Sequence, residues 1–350
     1  MVTLGIDAHK HTHTIVAVDA QGRQLGQKTV ATTTRDHLAL LTWAEQFADE
    51  DRLLWAIEDC RHLSRRLERD LLAAGESIVR VPTKLMAHVR DSARTYGKSD
   101  PIDALAVARA AQREPNLPVA HLDGPDREVR LLIDHRESLV AERTRAICRL
   151  RWHLHELDPS WEPKARSLDR IGNLNKVEAR IIGLAGTVAR LARALVTRCR
   201  ELTVQIDELT AEISTLVSVL APTLIAVPGC GVLTAAKILG ETAGVGRFYS
   251  KDAYARHNGT APLPVWSSNK ARHRLSRTGN RQLNAALHRI AMTQAHWHPP
   301  AKALIARRKA TGDSGIEALR VLKRRLSDVI YAALQADLGG TLDLDTGQRS

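Results

Sequence analysis

The stretch Gly5-Ile6-Asp7-Ala8-His9-Lys10 closes the first apolar run of the chain, which begins at Val2. A run of this length predicts a β-strand, with Asp7 at its end. Strand ends are common places for polar functional groups, because neighbouring strands bring further side chains alongside. Acids also stand at later predicted strand or helix ends, at Glu58, Asp100 and Asp103. We expect these four carboxylates to converge.

The pattern of apolar residues around these acids predicts a mixed α/β domain. Strands are predicted at 2–6, 13–19, 24–30, 53–57 and 78–81, and helices at 34–47, 63–74 and 103–111. The order β-β-β-α-β-α-β-α is that of a ribonuclease-H-like fold, in which acids on the first strand, the fourth strand and the last helix meet. Residues 1–123 are therefore predicted to form an α/β ribonuclease-H-like catalytic domain.

Four clustered carboxylates predict a divalent metal site. Phosphodiester chemistry is assisted by two cations ~4 Å apart, and hard cations such as Mg²⁺ prefer carboxylate oxygens. We therefore expect Asp7, Glu58, Asp100 and Asp103 to hold two Mg²⁺ ions. Helix capping remains the simpler account of Asp100 and Asp103 by themselves. The alternating His9, His11 and His13 are attributed to a partly exposed strand and not to a metal site.

The net charge of +12 and the pI near 9.9 predict a polyanionic partner. Between Arg247 and Arg325 there are 17 Lys and Arg against 3 Asp and Glu, so the excess lies in the second half. Four widely spaced cysteines favour reduced thiols in a cytoplasmic protein. No apolar run is long enough for a membrane span.

Two long helices are predicted in the middle of the chain, at 125–158 and 176–220. Apolar residues of the second helix recur at alternating steps of four and three, which is typical of a coiled-coil seam. The seam could pair with the first helix or with a second copy of the chain. Residues 124–221 are predicted to form this helical coiled-coil region.

The last part of the chain, residues 222–335, carries two candidate contacts to nucleic acid, and a tail follows at 336–350. Gly229 and Gly231 lie in a Pro-Gly-x-Gly turn that suits a helix-hairpin-helix, although a plain helix–helix turn has the same pattern. Ser267 and Ser268 lie in a predicted Gly/Pro-flanked loop and are followed by closely spaced basic side chains. Either serine could attack phosphorus, but serines that only donate hydrogen bonds fit the residues better. The basic side chains expected to bind nucleic acid are Lys270, Arg272, Arg274, Arg277 and Arg281.

The ordered set of motifs resembles one family. These motifs are Gly5–Lys10, Glu58, Lys98–Ala104, Val227–Gly231 and the segment from Ser267 to Arg281. Together they are similar to the DEDD-type insertion-sequence transposases, which are relatives of the Piv DNA invertase and are also called bridge-RNA-guided recombinases. The likeness spans roughly residues 1–335.

The resemblance implies a RuvC-like first domain, a coiled-coil middle and a mostly α-helical transposase domain. It implies that the four acids bind metal and that a serine becomes covalently linked to DNA. Ser268 matches the family's serine, although Asn269 stands where the family has glycine, so Ser267 is the alternate. Asp59 could share the metal.

The expected partners are donor and target DNA, an element-encoded guide RNA and further copies of the chain, as a dimer or tetramer. The alternative is a RuvC-like Holliday-junction nuclease that uses water as its nucleophile.

Overall fold

Five strands form one mixed sheet in the first part of the chain, in the order β3-β2-β1-β4-β5. The computed structural model describes residues 1–48, 53–58, 61–82, 85, 99–114, 117, 119–120, 124–267, 270–274 and 279–346, with the backbone alone at 61–62, 263–267, 270–274 and 340–346. The strands are β1 (Thr3–Ala8), β2 (Thr12–Val18), β3 (Gln24–Ala31), β4 (Leu54–Glu58) and β5 (Ser77–Val81). β1 is central, because it pairs antiparallel with β2 and parallel with β4.

In the part of this unit that the structure describes, the sheet is accompanied by the helices α1 (Thr34–Glu45), α2 (Arg61–Ala73) and α3 (Asp100–Arg113). The element order and the mixed sheet confirm the predicted ribonuclease-H-like fold of this part of the chain. β1 runs two residues further than predicted, so Asp7 lies within the strand and pairs with Thr14 of β2.

The two faces of the sheet are packed differently. On one face, Leu4 and Ile6 join a fully buried core with Leu40 of α1 and Leu71 of α2. On the other face α3 lies directly on β1 at Gly5. A Cβ atom on Gly5 would overlap the carbonyl oxygen of Ala104 and lie 2.7 Å from the Cβ of Ala108. Glycine is therefore required for this helix to reach the strand.

A pair of buried histidines lies on the α1 and α2 side of the sheet. His13 of β2 and His37 of α1 are both fully buried, with ring centroids 5.5 Å apart. The Nδ1 of His37 is hydrogen-bonded to Asp70 of α2 at 2.7 Å, whereas neither ring nitrogen of His13 has a partner among the described residues. The pKa of His13 is lowered to about 4, mainly by burial and to a smaller extent by the neighbouring His37 and His9. The prediction of a partly exposed strand is wrong at His13.

The chain forms two compact units, Met1–Asp123 and Gly124–Ser350. The second unit contains α4 (Pro125–Leu157), α5 (Ile171–Ile181), α6 (Thr187–Leu220), α7 (Pro222–Ile225), α8 (Val232–Thr242), α9 (Lys251–His257), α10 (Arg281–Trp297), α11 (Pro299–Ala310) and α12 (Gly315–Thr346). It also contains a hairpin of β6 (Leu263–Ser267) and β7 (Lys270–Arg274). The predicted division of this unit at residues 221 and 335 stays a prediction.

α4 and α6 pack antiparallel along most of their length. Ile133 of α4 shares a core with Ile213 of α6, and Leu150 shares another with Val196. Arg136 donates to Thr210 Oγ1 at 2.7 Å and Arg143 donates to Thr203 Oγ1 at 3.1 Å. The seam residues of α6 thus face α4 within one chain.

The single helix predicted at 176–220 is wrong, because the structure has two helices there, α5 and α6. The break lies at Gly183 and Gly186, and Gly186 has φ of 97°. This left-handed backbone is accessible to glycine and stops a helix.

The last helix continues past residue 335, the predicted end of the last domain. α12 continues to Thr346, past Gly339 and Gly340. Asp337 explains part of this extension, because its buried carboxylate accepts from the backbone N–H groups of Thr223 and Leu224 at the start of α7. No helix in the described ranges has the length and apolarity needed to cross a bilayer.

The Gly5 contact predicts the effect of a single methyl group. Gly5→Ala should lower the free energy of unfolding of the first unit by about 3 kcal/mol, because the backbone of α3 cannot yield as a side-chain tip would. Denaturant unfolding measures this change. The matched control is Gly172→Ala in α5, where no atom lies within 4 Å of the added Cβ. That variant should be neutral or more stable by up to about 1 kcal/mol. Equal effects at both positions would contradict the packing argument.

His13 predicts a pH-dependent stability. The unfolded chain binds a proton near pH 6.5 and the folded chain near 4, so stability is complete above about 6.5 and falls as the pH drops. Between pH 7 and 5 the wild type should lose about 2 kcal/mol more than His13→Leu. Urea titrations at both pH values test this, with His11→Gln, an exposed neighbour, as the control. A wild type and a His13→Leu variant with parallel pH profiles would refute it.

Candidate active site

Asp7 is the buried centre of the acid group. It lies near the end of β1, on the strand face that α3 covers at Gly5, and only 6% of its surface is exposed. Its Oδ2 atom is buried and accepts no hydrogen bond from any described residue. A buried carboxylate oxygen without a donor is costly, so this atom is suited to a positively charged ligand.

The first turn of α3 supplies two further acids. Asp103 is buried and Asp100 is exposed. The helix begins three residues earlier than predicted, at Asp100, and Ser99 is its N-cap. One ligand atom each from Asp100, Asp7 and His9 lies within 4.8 Å of the others. This geometry favours a shared site for Asp100 over helix capping.

Glu58 completes the set of predicted acids at the end of β4, where it is half-buried. The pKa of Asp7 rises to about 6, first because burial disfavours the charged form. The negative charges of Asp103, Glu58 and Asp100 raise it further, whereas His9 lowers it. All four acids are therefore close enough to interact electrostatically.

His9 is a member of the site that the sequence reasoning missed. Its Nδ1 lies 3.7 Å from Asp7 Oδ2, and its side chain is 48% exposed. In the sequence, His9, His11 and His13 were interpreted only as one alternating repeat. The useful signal was the Asp7-x-His9 spacing, since residues two apart on an extended chain point to the same side.

The residues at this site fit a divalent cation. The donor set consists of carboxylate oxygens and one imidazole nitrogen, and the buried Asp7 Oδ2 needs a positive partner. Asp59, the additional acid considered in the sequence, lies outside the described residues.

The predicted serines lie in the second unit. Ser267 is the last residue of β6 and pairs with Lys270 of β7. Ser268 lies outside the described residues, and of Ser267 only the backbone is described. The hairpin lies where the sequence predicted a Gly/Pro-flanked loop, so the absence of strands from that prediction is wrong.

The basic residues around the hairpin are partly described. Lys270, Arg272 and Arg274 occupy alternate positions of β7, so the predicted loop contains a strand. Arg281 is exposed at the start of α10, and Arg277 lies outside the described residues. The role of these residues in binding nucleic acid stays a prediction.

The Pro-Gly-x-Gly turn joins α7 to α8. Gly229 has φ of 80° and its hydrogen faces Thr293 of α10, where a Cβ would lie 3.3 Å from the threonine side chain. Gln294 donates to the carbonyl of Pro228 at 2.7 Å. Gly231 is exposed and is the N-cap of α8. The turn therefore has a packing role at Gly229, and a role in phosphate binding stays a prediction.

Two transposase family models match consecutive parts of this chain and together cover more than half of it. A transposase model of the DEDD type from IS110 matches residues 4–159, and a model described as the IS116/IS110/IS902 transposase family matches residues 221–306.

Whole-length relatives come from actinobacterial insertion elements. A 42 kDa protein of element IS900 from Mycobacterium paratuberculosis is 25% identical, with 95% of this chain and 96% of the relative covered. A 44.8 kDa protein of element IS116 from Streptomyces clavuligerus is 26% identical, with 95% and 94% covered.

A solved structure of RuvC from Thermus thermophilus is similar to part of this chain. It is 18% identical, and the likeness covers 33% of this chain and 98% of RuvC at a TM-score of 0.27. The fold is identified by the strand order and register given above.

The acid cluster predicts a stability change that depends on metal. The pKa of Asp7 is raised above the unfolded value of 3.8, so stability from its protonated form is complete below that value and is lost as the pH rises through about 6. At pH 8 without divalent cations, Asp7→Asn should therefore raise the free energy of unfolding by on the order of 2 kcal/mol. Mg²⁺ should then stabilise the wild type and leave the variant nearly unchanged.

Thermal unfolding with and without Mg²⁺ measures both effects. Glu45→Gln, at an exposed acid of α1, is the matched control and should show neither effect. A cation site would be contradicted if Asp7→Asn were less stable than the wild type at pH 8. It would also be contradicted if Mg²⁺ stabilised the wild type and the variant equally.

Proposed function

The chain belongs to the IS116/IS110/IS902 transposase family and is a DNA transposase, and we propose that it cleaves and rejoins DNA through a covalent serine intermediate. The observation that carries the proposal is the buried Asp7 carboxylate with Asp103, Glu58 and Asp100 around it. A buried acid beside three other acids lowers stability when no cation is bound, and a cluster of this kind is typical of a catalytic site.

The acid cluster is the part of the proposal that handles the scissile phosphodiester. Asp7, Glu58, Asp100 and Asp103 would hold Mg²⁺, and His9 is a further candidate ligand at the exposed side. When bound, a pair of Mg²⁺ ions supplies electrostatic stabilisation of the attacking and leaving oxygens. Because Asp7 must be ionised to act as a ligand, its affinity for a cation should rise as the pH increases through about 6.

The serine supplies the nucleophile in this proposal. The Oγ of Ser268 forms an ester bond with a DNA phosphorus atom, its proton leaves, and the bond from phosphorus to one deoxyribose oxygen breaks. A hydroxyl of another DNA strand then attacks the same phosphorus and releases the serine. The number of phosphodiester bonds is conserved, so rejoining needs no external energy source. A serine of the same subunit or of a second copy would satisfy this chemistry.

We also propose that an element-encoded RNA selects the donor and target DNA. The support is the family resemblance together with the concentration of basic residues between Arg247 and Arg325. A protein that delegates sequence choice to base pairing needs many phosphate contacts and few contacts to base edges. Because recombination handles two duplexes, a homo-oligomer is part of the same proposal.

The serine step predicts a covalent protein–DNA adduct. Ser268→Ala should abolish the adduct and reduce recombination below detection, whereas Ser267→Ala should retain both. A labelled donor duplex incubated with Mg²⁺ and examined on a denaturing gel reveals the adduct. Asp7→Asn should fail to cleave while it still binds DNA.

The double variant Ser267→Ala with Ser268→Ala decides the nucleophile. Recombination by this variant would refute the serine mechanism. DNA cleavage by it without any adduct would instead favour water as the nucleophile, as in a RuvC-like nuclease.

A further inference from the structure

Two buried lysines in the second unit differ in how their charge is balanced. Lys237 of α8 lies 2.8 Å from Asp134 and 2.8 Å from Glu137, both on α4. Lys323 of α12 is also buried, with 7% of its surface exposed. Its Nζ donates to Asn284 Oδ1 of α10 at 2.6 Å, and no carboxylate in the described part of the chain pairs with it. Lys323 therefore retains a buried positive charge that only a neutral oxygen accompanies.

Among the described residues, the charged groups that act on Lys323 are positive. Arg320, one turn earlier on α12, lowers the pKa of Lys323 after the larger effect of burial. Lys323 in turn lowers the pKa of His288 on α10. Arg320 and His288 are both exposed, so the cluster opens to solvent. A buried ammonium costs several kcal/mol unless a counter-charge is supplied, and the missing counter-charge here is an anion.

The neighbouring arginine is different, although it stands in the same basic run. Arg324 is paired with Asp252 of α9 and with Asp328 of α12. Its charge is therefore already balanced inside the protein. The basic run at 323–325 thus contains one unbalanced buried cation and one neutralised cation.

Lys323 is also connected to the open end of the serine-bearing hairpin β6–β7, where the chain enters β6 and leaves β7. Asn284, its partner, donates from Nδ2 to the carbonyl of Asn258 at 2.8 Å. The Nδ2 of Asn258 donates to Ser327 Oγ of α12 at 2.8 Å. Asn258 precedes β6 by only a few residues, so a ligand on Lys323 would lie beside the segment that leads into the hairpin.

The segment that follows β7 is held at the same end of the hairpin. The backbone N–H of Asn280 donates to the carbonyl of His257 at 2.7 Å, and its side chain donates to Glu241 at 2.6 Å. A Cβ on Gly279 would overlap the backbone of Gly259, so the two chain segments touch. Both ends of the hairpin are therefore held against the polar network that contains Asn284 and Lys323.

We propose that Lys323, with Arg320 and His288, binds a phosphodiester of a nucleic-acid backbone at the base of the serine-bearing hairpin. The proposal rests on the proposed function for the identity of its anion, since a transposase handles nucleic acid. Lys323 would donate two further hydrogen bonds to the phosphate, while Asn284 fixes the direction of its ammonium group. Such a contact sets where the backbone enters and carries no base preference.

The test is the salt dependence of binding, measured on the full chain without divalent cations. The probes are a DNA duplex and an RNA duplex of the same sequence, each followed by fluorescence anisotropy. Lys323→Met should weaken binding about tenfold at moderate salt and reduce the slope of log K against log salt by about 0.9, which is the loss of one phosphate contact. A reduced slope with DNA alone, RNA alone or both supports the proposal and identifies which backbone occupies the site.

A charge-neutral control accompanies this variant. The double substitution Arg324→Gln with Asp328→Asn removes Arg324 and one of its two carboxylate partners without changing net charge, and it should keep the wild-type slope. Wild-type slopes with both probes for Lys323→Met would overturn the proposal. If Lys323→Met does not fold, Arg320→Gln at the exposed edge of the cluster replaces it as the test. This variant should lose a comparable part of the slope of log K against log salt. An unchanged slope for Arg320→Gln would overturn the proposal. The assay contains no cleavage step, so its result is independent of whether Ser268 forms the covalent bond.

Discussion

The close contact between α3 and the central strand is the constraint on which the first unit depends. Gly5 has no side chain, and α3 therefore rests directly on β1 through Ala104 and Ala108. This contact places the first turn of α3 over the end of β1, where Asp7 lies. Without it, Asp100 and Asp103 would be separated from Asp7 by at least the thickness of a side chain. The proposed metal site thus depends on a packing feature two residues away from the nearest acid.

That packing also creates an electrostatic cost. Burial of Asp7 beside three other carboxylates raises its pKa to about 6, so the cluster opposes folding at neutral pH. The apolar core on the opposite face of the sheet, with Leu4, Ile6 and Trp55 fully buried, offsets this cost. A rigid sheet with one stabilising face and one strained face is a common arrangement for catalytic groups, because the stable face holds the strained one in place.

Much of the first unit could be predicted from sequence, since strand periods and strand-end acids are local patterns. Asp7, Glu58, Asp100 and Asp103 were predicted in this way, and their role in metal binding stays a prediction. His9 was missed because its role depends on a neighbour outside its own repeat, and the α5–α6 break was missed because the apolar period continues across Gly186. The difference between Lys323 and Arg324 could not be predicted either. Asp328, one turn after Arg324, is visible in the sequence, but the contacts of Arg324 with Asp252 and of Lys323 with Asn284 are tertiary.

The antiparallel pairing of α4 with α6 has a consequence for how this protein can change in length. Arg136 and Arg143 each reach a threonine of α6, at Thr210 and Thr203. The two arginines are seven residues apart on α4, and the two threonines are seven residues apart on α6. Both arginines therefore reach their threonines in only one alignment of the two helices. An insertion or deletion of one turn, about 5.4 Å, in a single helix would separate one arginine from its threonine. Both hydrogen bonds are therefore kept only when α4 and α6 are lengthened or shortened by the same number of turns.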